Sequence, residues 1–497
     1  MRVLVTGGTG VVGTSAVRAL VRHGHSVRIL SRHAGREEPD WPAGVEGWAG
    51  DVSNEKSIRG SAKGCDVVLH LAGIVEEAPP GRTFQSVNID GTRYMVLEAQ
   101  RCGVRKFVYL SSLGAERGQS AYHKSKYVGE DVVRAFTGDW LVLRPGAVYG
   151  PGDEHVSVLL QLVRTLPVVP TVGNGEQPFQ PIWHEDLAEA LALAVERDDL
   201  RCATYELAGP EQTSQNDLVE RFRAITGRSA VQGTVPEMLA SWGVRALQAI
   251  GIEPPISDAQ VSMLSEGNVI DPGGRNALTD VFAIAPTRLA DGLQWLADDQ
   301  PEQLPNEGVG DLRRKRFWVD MRDTRLNAEQ LFEYLREHFA ELMPSLVQVK
   351  DDHGAMDPLE EGQTVTMEIP VRGQIQVRVA EVMDGRMTML TVAGHPLAGA
   401  VRFLVEDVGG ALRFEIQVYE RSATTVDGLV MRTIGSRLQQ GVWTGMAENV
   451  AKAAGGIASP VQSEAATLDD REATVVQDWA AELSGQLSRN AASSGRG

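Results

Sequence analysis

Along the first thirty residues the hydrophobic pattern changes period twice. Val3-Leu4-Val5 is a short continuous apolar run, the pattern of a strand buried on both faces. Apolar residues then recur at helical spacing from Thr14 through Val21, and His25–Leu30 returns to a strand pattern. Further strands are predicted at Val45–Ala49, Val67–Leu71, Phe107–Leu110 and Trp140–Leu143, with helical patterns between them. Alternation of this kind predicts an α/β fold, a doubly wound parallel sheet with helices on both faces. Phe179–Ile182 reads as strand-like and His184–Asp186 as a helix start, whose acids serve as caps or as substrate contacts. Met238–Ile252 is amphipathic, either a lid or a helix packed on the core, and Trp242, Met263 and Leu264 are candidate linings of an apolar pocket. Val281–Leu296 is expected to close this domain as a helical segment.

The order of elements changes after residue 298. Residues 299–312 have the polar, proline-containing composition of a linker. The basic run Arg313-Arg314-Lys315-Arg316 is expected on a solvated strand edge, followed by a strand at Phe317–Met321. Ala328–Leu342 carries Leu331, Leu335, Phe339 and Leu342 at helical spacing. Alternating strands follow at Thr364–Val371, Ile375–Val382, Met387–Ala393, Val401–Val405 and Leu412–Tyr419. The turns Arg372-Gly373, Asp384-Gly385 and Gly409-Gly410 mark antiparallel hairpins. A helix over about Val426–Ala454 completes an α+β antiparallel-sheet domain spanning 313–456, on a helix-grip plan. Residues 457–497 read as a tail with one helix, Leu468–Leu487, around Trp479 and Leu483, and a disordered end from Asn490.

Chemistry concentrates at the predicted strand ends. Between the first strand and first helix lies Thr6-Gly7-Gly8-Thr9-Gly10-Val11-Val12-Gly13. One glycine permits the tight turn, one lets backbone approach a pyrophosphate, and one lets helix and strand pack closely. The helix N-terminus offers unpaired N–H groups and a positive dipole end to that pyrophosphate. The second strand ends Leu30-Ser31-Arg32, and Glu37 and Glu38 come too late to bond an adenosine ribose hydroxyl. NADP is therefore expected over NAD, with Ser31 and Arg32 on the phosphate and Arg36 as a helper. Tyr122 and Lys126 are four residues apart on one helix face, so the lysine charge favours the phenolate of a tyrosine that otherwise titrates near pH 10. Ser112 would polarise a substrate carbonyl while Tyr122 exchanges the hydroxyl proton. His123 and Lys124 are expected as exposed helix residues.

Composition narrows the classes. The 497 residues are 42% hydrophobic and carry a formal net charge of −18, which argues against a nucleic-acid or anionic-membrane binder. Cys65, Cys102 and Cys202 are far apart, suggesting neither a disulfide framework nor a metal site. No apolar run reaches membrane-spanning length, and the N-terminus enters a strand at once, so a cytoplasmic protein is expected.

Residues 1–298 resemble the extended and atypical short-chain dehydrogenases/reductases, the epimerase-like group with a Rossmann domain. The matching motifs are TGGTGVVG, Asp51-Val52, His70-Leu71-Ala72-Gly73, Val87 to Thr92, Ser111-Ser112, Tyr122 to Lys126, Arg144 to Asp153 and Pro181 to Ala188. The nearest subgroup includes the nucleotide-binding accessory subunit of respiratory complex I. The resemblance implies catalysis by Ser112, Tyr122 and Lys126. It implies a coenzyme held by Gly7, Thr9, Gly10, Val11, Val12, Gly13, Ser31, Arg32, Asp51, Val52, Leu71, Ala72, Gly73, Asn88, Tyr122, Lys126, Pro145, Gly146 and Val148. The implied activity is hydride transfer between NADP(H) and a carbonyl or alcohol of a small-molecule substrate, in a chain that can form a homodimer. Two other readings stand beside it, a non-catalytic NADPH-binding sensor or assembly protein, and a nucleotide-sugar epimerase/dehydratase. Tyr122 follows Ser112 by only ten positions, fewer than sugar-nucleotide enzymes of this family carry, which disfavours the last. Glu361–Gly456 resembles an uncharacterised bacterial family of START-like fold through Gly394 to Gly399, Arg402-Phe403, Phe414 to Ile416 and Gln439 to Trp443. His395, Glu420 and Arg421 form either a polar patch in its cavity or a turn without a role.

Overall fold

The computed structural model describes residues 1–497 except 38–40, 79–80, 154, 166–167, 173, 228–230, 236–267, 299, 351–357, 370–372, 424–435 and 494–497. The proposed lid Met238–Ile252 and its companions Trp242, Met263 and Leu264 lie outside the described residues. So do Glu38 and the side chains of Arg36 and Glu37. The chain divides into two compact units. The first comprises Met1–Leu160, Val168–Ile225 and Val231–Asp298; Gln161–Pro167 and Thr226–Ala230 group with Asp299–Gly497 in the second.

In the first unit seven strands lie parallel: β1 (Arg2–Thr6), β2 (Ser26–Ser31), β3 (Glu46–Ala49), β4 (Val67–His70), β5 (Lys106–Leu110), β6 (Asp139–Pro145) and β7 (Ala203–Leu207). Their order is β7-β6-β5-β4-β1-β2-β3, so the winding reverses between β1 and β4. Strands buried on both faces need apolar residues in both phases of their alternation. Val3, Val5, Val108 and Leu141 accordingly enter one core, while Leu4, Val68, Phe107 and Val142 enter the other. The principal helices are α1 (Val11–Arg22), α2 (Gly91–Arg101), α3 (Ala121–Arg134), α4 (Val156–Thr165), α5 (His184–Glu196), α6 (Gln215–Thr226) and α7 (Leu289–Asp298). A single helical turn, Ala277–Asp280, precedes the segment expected as one helix over Val281–Leu296, which is instead an irregular stretch, 281–288, followed by α7. Thr287 interrupts it, with its N–H and hydroxyl both donating to Asp186 at the start of α5.

The second unit is built on one antiparallel sheet: β8 (Val309–Arg322), β9 (Gln348–Lys350), β10 (Thr364–Ile369), β11 (Gly373–Met383), β12 (Arg386–Thr391), β13 (Leu397–Val408), β14 (Ala411–Ser422), β15 (Ile457–Ala458) and β16 (Gln462–Thr467). Its order is β9-β10-β11-β12-β13-β14-β8, with hairpins joining β10 through β14 and a long-range pairing bringing β8 onto β14. On its other side β8 pairs with β15 and β16. On one face α8 (Ala328–Glu337), Phe339–Leu342 and α9 (Ser436–Ala454) cover Val377, Met389, Phe403 and Phe414. On the other, α10 (Asp470–Ser493) sets Ala480, Leu483 and Leu487 against Ala380, Leu390 and Ala400.

Three expectations for this unit are corrected. The stretch read as linker already includes the start of β8 at Val309. The basic run is no strand edge, because β8 is hydrogen-bonded on both sides. Arg316 there pairs with buried Glu415 at 2.7 Å, and Lys315 pairs with Glu420 at 2.6 Å. The tail is part of the fold, and α10 continues through Ser493 beyond the expected end of order at Asn490.

Candidate active site

The carboxyl ends of β1 and β4 lie side by side where the winding reverses, the place an open parallel sheet offers a ligand. Gly7, just past β1, has φ +71°, and a Cβ there would stand 2.7 Å from the Ala72 nitrogen. Only glycine allows the two chains to pass so closely. A Cβ on Gly13, in the first turn of α1, would overlap the Gly7 oxygen and come within 2.7 Å of Gly8 Cα. Gly10 differs, since its nearest neighbour would be Gly7 O at 3.8 Å. Thr9 and Gly10 are exposed, and Val11 and Val12 half-buried, at the open N-terminus of α1.

A buried polar chain fastens the two strand ends. Thr6 Oγ1 lies 2.7 Å from His70 Nδ1 and accepts from the Ala72 N–H at 3.2 Å. His70 Nε2 lies 3.1 Å from Thr92 Oγ1, whose proton goes to the Asn88 carbonyl. Thr92 must therefore accept from Nε2–H, which leaves Nδ1 to accept from Thr6. Burial, helped by the charge of Lys126, pushes His70 down to about 3, so it stays neutral and holds this tautomer.

At the β2 end Arg32 is exposed and Ser31 half-buried, with Ser31 Oγ accepting from the His33 N–H. Asp51 closes its own turn, accepting from the Ser53 N–H and hydroxyl at 2.9 and 2.7 Å. Val52 is buried against Gly91. Leu71 and Ala72 are half-buried and Gly73 is exposed at the tip of β4.

The helix α3 carries the candidate acid–base pair and starts where Ser120 Oγ caps the His123 N–H. Tyr122 is half-buried, its ring 6.2 Å from Phe84 and 5.3 Å from His123. One turn on, Lys126 is 4% exposed; its Nζ donates to the Leu110 carbonyl at 2.5 Å and sits 4.5 Å from the Tyr109 ring centre. Burial brings Lys126 down to about 7, against the opposing pull of Glu130. A Cβ on Gly73 would lie 3.5 Å from Nζ and 3.3 Å from Asn88 Oδ1. The ends of β4 and β5 and the face of α3 thus converge at Lys126.

Asn88 lies in this cluster with its amide engaged by the protein. Oδ1 accepts from the Ile74 N–H, while Nδ2 donates to Ile74 O and to Ser125 Oγ. Ser125 in turn donates to the Tyr122 carbonyl, so Asn88 braces the turn of α3 that carries the tyrosine. The two serines after β5 divide their roles. Ser111 Oγ donates to Glu130 at 2.6 Å, whereas Ser112 Oγ makes no hydrogen bond among the described residues. Pro145 and Gly146 are buried, with Pro145 O accepting from the Leu113 N–H and Gly146 N–H donating to Leu207 O. Val148 is half-buried and pairs with Ile182.

Three features escaped the sequence. His123 is not an exposed helix residue but 1% exposed, because the 112–120 turn folds over α3 and sets Gly114 against the imidazole. Glu130, one turn beyond Lys126, is fully buried and receives Arg144 at 2.8 and 2.7 Å, Arg134 at 2.6 Å and Ser111. Glu130 continues the four-residue spacing from Tyr122 and Lys126, which was the available signal. Asp153 caps α4, accepting from the N–H groups of His155, Val156 and Ser157, so the end of the Arg144 to Asp153 motif serves as a helix cap.

Among the described residues no helix is long and apolar enough to cross a membrane, and no cluster of metal-binding side chains occurs. Residues 3–208 match the NAD dependent epimerase/dehydratase family. A ceramide reductase of Caulobacter vibrioides is 40% identical over 191 residues, 38% of this chain and 59% of that protein. A 3-beta-hydroxysteroid dehydrogenase of Mycolicibacterium neoaurum is 31% identical over 230 residues, 39% of this chain and 61% of that protein. The mitochondrial NADH dehydrogenase (ubiquinone) 1 alpha subcomplex subunit 9 of Rattus norvegicus is 25% identical over 269 residues, 52% of this chain and 71% of that protein. The chain therefore spans about three-fifths of the length of the first two.

Proposed function

We propose, from the premise that residues 3–208 form a Rossmann domain of the NAD dependent epimerase/dehydratase type, that this protein transfers hydride between NADP(H) and a carbonyl or alcohol on a hydrophobic small molecule. The residues fit the coenzyme. Gly10 leaves open space at the N-terminus of α1, where a pyrophosphate would meet unpaired N–H groups and the positive end of the helix. Ser31 and Arg32 would hold the 2′-phosphate; Asp51 and Val52 would border the adenine. Leu71, Ala72, Gly73, Pro145, Gly146 and Val148 would shape the far end, with NAD as the alternative coenzyme. When bound, the coenzyme supplies or accepts the hydride.

The chain's own part is proton handling and polarisation. Tyr122 would give its hydroxyl proton to the developing alkoxide in reduction and take it back in oxidation. Lys126, beside it on α3, would stabilise the phenolate and hold the nicotinamide ribose. Ser112, with its hydroxyl uncommitted, would donate to the substrate oxygen. The observation that carries this reading is the convergence of Lys126 Nζ, Leu110 O and Gly73 where β4 and β5 end. The names of two relatives, ceramide reductase and 3-beta-hydroxysteroid dehydrogenase, support a hydrophobic substrate.

NADPH consumption with a panel of long-chain and steroid ketones tests the proposal. Turnover should vanish in Tyr122→Phe while NADPH affinity is kept, and tight coenzyme binding without turnover on any ketone or alcohol would refute it. That outcome would favour the second reading, a coenzyme-binding protein without catalysis. The short turn after Ser112 supports this alternative, because Leu113 is folded into a cluster with Ala208 and Ile270. For the second unit, the antiparallel sheet gripped by α9 supports a helix-grip, START-like assignment.

A further inference from the structure

Within the second unit, between the sheet and α9, lies a cavity of about 150 Å³. Phe339, Met367, Met389, Phe403 and Val442 make it almost wholly apolar. Its polar lining includes Thr391 and His395 and the place where Glu420 of β14 and Gln439 of α9 meet. Glu420 is 6% exposed and accepts from Lys315 of β8 at 2.6 Å. Gln439 donates to the second oxygen of Glu420 and accepts from Lys315, closing a ring of three side chains. Trp443, one turn along α9 from Gln439, lines the same cavity, and its indole N–H is buried without a partner among the described residues.

Such a wall is costly if its only task is stability. A buried ion pair is often matched or bettered by apolar side chains of similar volume, and a buried donor without a partner costs free energy. A ligand with one polar group would turn both features to use. We propose that this cavity binds a neutral hydroxyl-bearing molecule with a compact apolar body, its hydroxyl directed at Glu420 and Gln439. Size sets the body: an apolar cavity of this volume holds a benzene-sized solute, so about six to eight carbons are buried. Charge sets the head group. Lys315 and Glu420 cancel, and among the described lining residues there is no lysine or arginine to serve a carboxylate ligand, which would face Glu420. A hydroxyl can donate to a lone pair of Glu420 that the ring leaves unused, breaking none of the existing bonds. Its oxygen can then accept from a donor on α9. The site is independent of the coenzyme reading, since every lining residue belongs to the second unit.

The test is calorimetric titration of the full chain with phenol and 1-hexanol, with hexanoate as the charged comparison. Phenol and hexanol should bind saturably at one site, and hexanoate at least tenfold more weakly. Gln439→Leu should weaken hexanol five- to tenfold while leaving NADPH titration unchanged. Val377→Phe, which fills the cavity, should abolish binding; should that variant not fold, Val418→Leu should still reduce it. Absence of saturable binding by the wild type would overturn the proposal, as would equal affinity for hexanol and hexanoate, or unchanged binding in the filled variant.

Discussion

Adding one methyl group at Gly13 and at Gly10 should have opposite consequences, and the difference tests how the glycine turn works. At Gly13 the new carbon would overlap the Gly7 oxygen and press on Gly8 Cα at 2.7 Å. These are backbone atoms of the turn, which cannot rotate away, so α1 must move off β1. Overpacking of this kind costs roughly 1–3 kcal/mol. In a unit of this size that lowers the melting temperature by roughly 2–12 °C, at about 2–4 °C per kcal/mol. At Gly10 the nearest atom would be 3.8 Å away, so Gly10→Ala should fold with a melting temperature close to the wild type. Its methyl group would instead occupy the open side of the turn, where a pyrophosphate has to approach. The same overpacking range then appears in binding, about a tenfold or greater rise in the NADPH dissociation constant. Differential scanning fluorimetry and calorimetric NADPH titration of both variants read the two effects separately. The reasoning fails if Gly13→Ala melts with the wild type, or if Gly10→Ala binds NADPH unchanged.

Other expectations rest on single side chains. Lys126 titrates near 7 when folded and near 10.5 when unfolded, so the unfolded chain binds the extra proton between those values. Stability should therefore rise with pH across that window by a few kcal/mol, on the order set by about 1.4 kcal/mol per pKa unit, and urea unfolding of Lys126→Met should show a flatter rise. Arg144→Met leaves buried Glu130 with only the partly exposed Arg134 and the Ser111 hydroxyl, so it should cost somewhat less than the roughly 3–5 kcal/mol of a fully unpaired buried charge, part of it recovered in the double variant with Glu130→Gln. Arg32→Ala should weaken NADPH several-fold and leave NADH unchanged in parallel titrations, as loss of an exposed phosphate partner requires.

Much of the first unit was legible because β1, β4, β5 and β6 are short, apolar and tipped by a polar motif, whereas the edge strand β7, half-buried over Ala203–Glu206, carries no such pattern and was not read. Val3-Leu4-Val5 has no other economical fate than a strand covered on both faces, and Thr6 to Gly13 announces the turn that follows. The second unit was read less well, for a physical reason. The strand Gln462–Thr467 lies almost wholly exposed and has no apolar alternation, so its pairing with β8 is written in backbone hydrogen bonds rather than in side-chain pattern. The charges of β8 misled in the same way. Arg316 and Lys315 look solvated until Glu415 and Glu420, about a hundred residues later, arrive within ion-pair reach on the neighbouring strand. In the site itself Tyr122 and Lys126 announce themselves by spacing, but the burial of His123 depends on a turn folding over it. That information is tertiary.

The strand β8 holds the start of the second unit hostage to its end. Its residue Arg316 sits opposite Gln417 on one side and Glu464 on the other, so neither flank is available until most of the unit has been synthesised. Pairings of such long sequence separation are paid for in loop entropy before they return anything, which makes assembly slow and all-or-none. A nascent chain stopped at residue 456 would present an open, hydrogen-bond-hungry strand, the kind of edge that seeks another copy. Shortening the carboxyl terminus is thus a route to aggregation rather than to a smaller working protein.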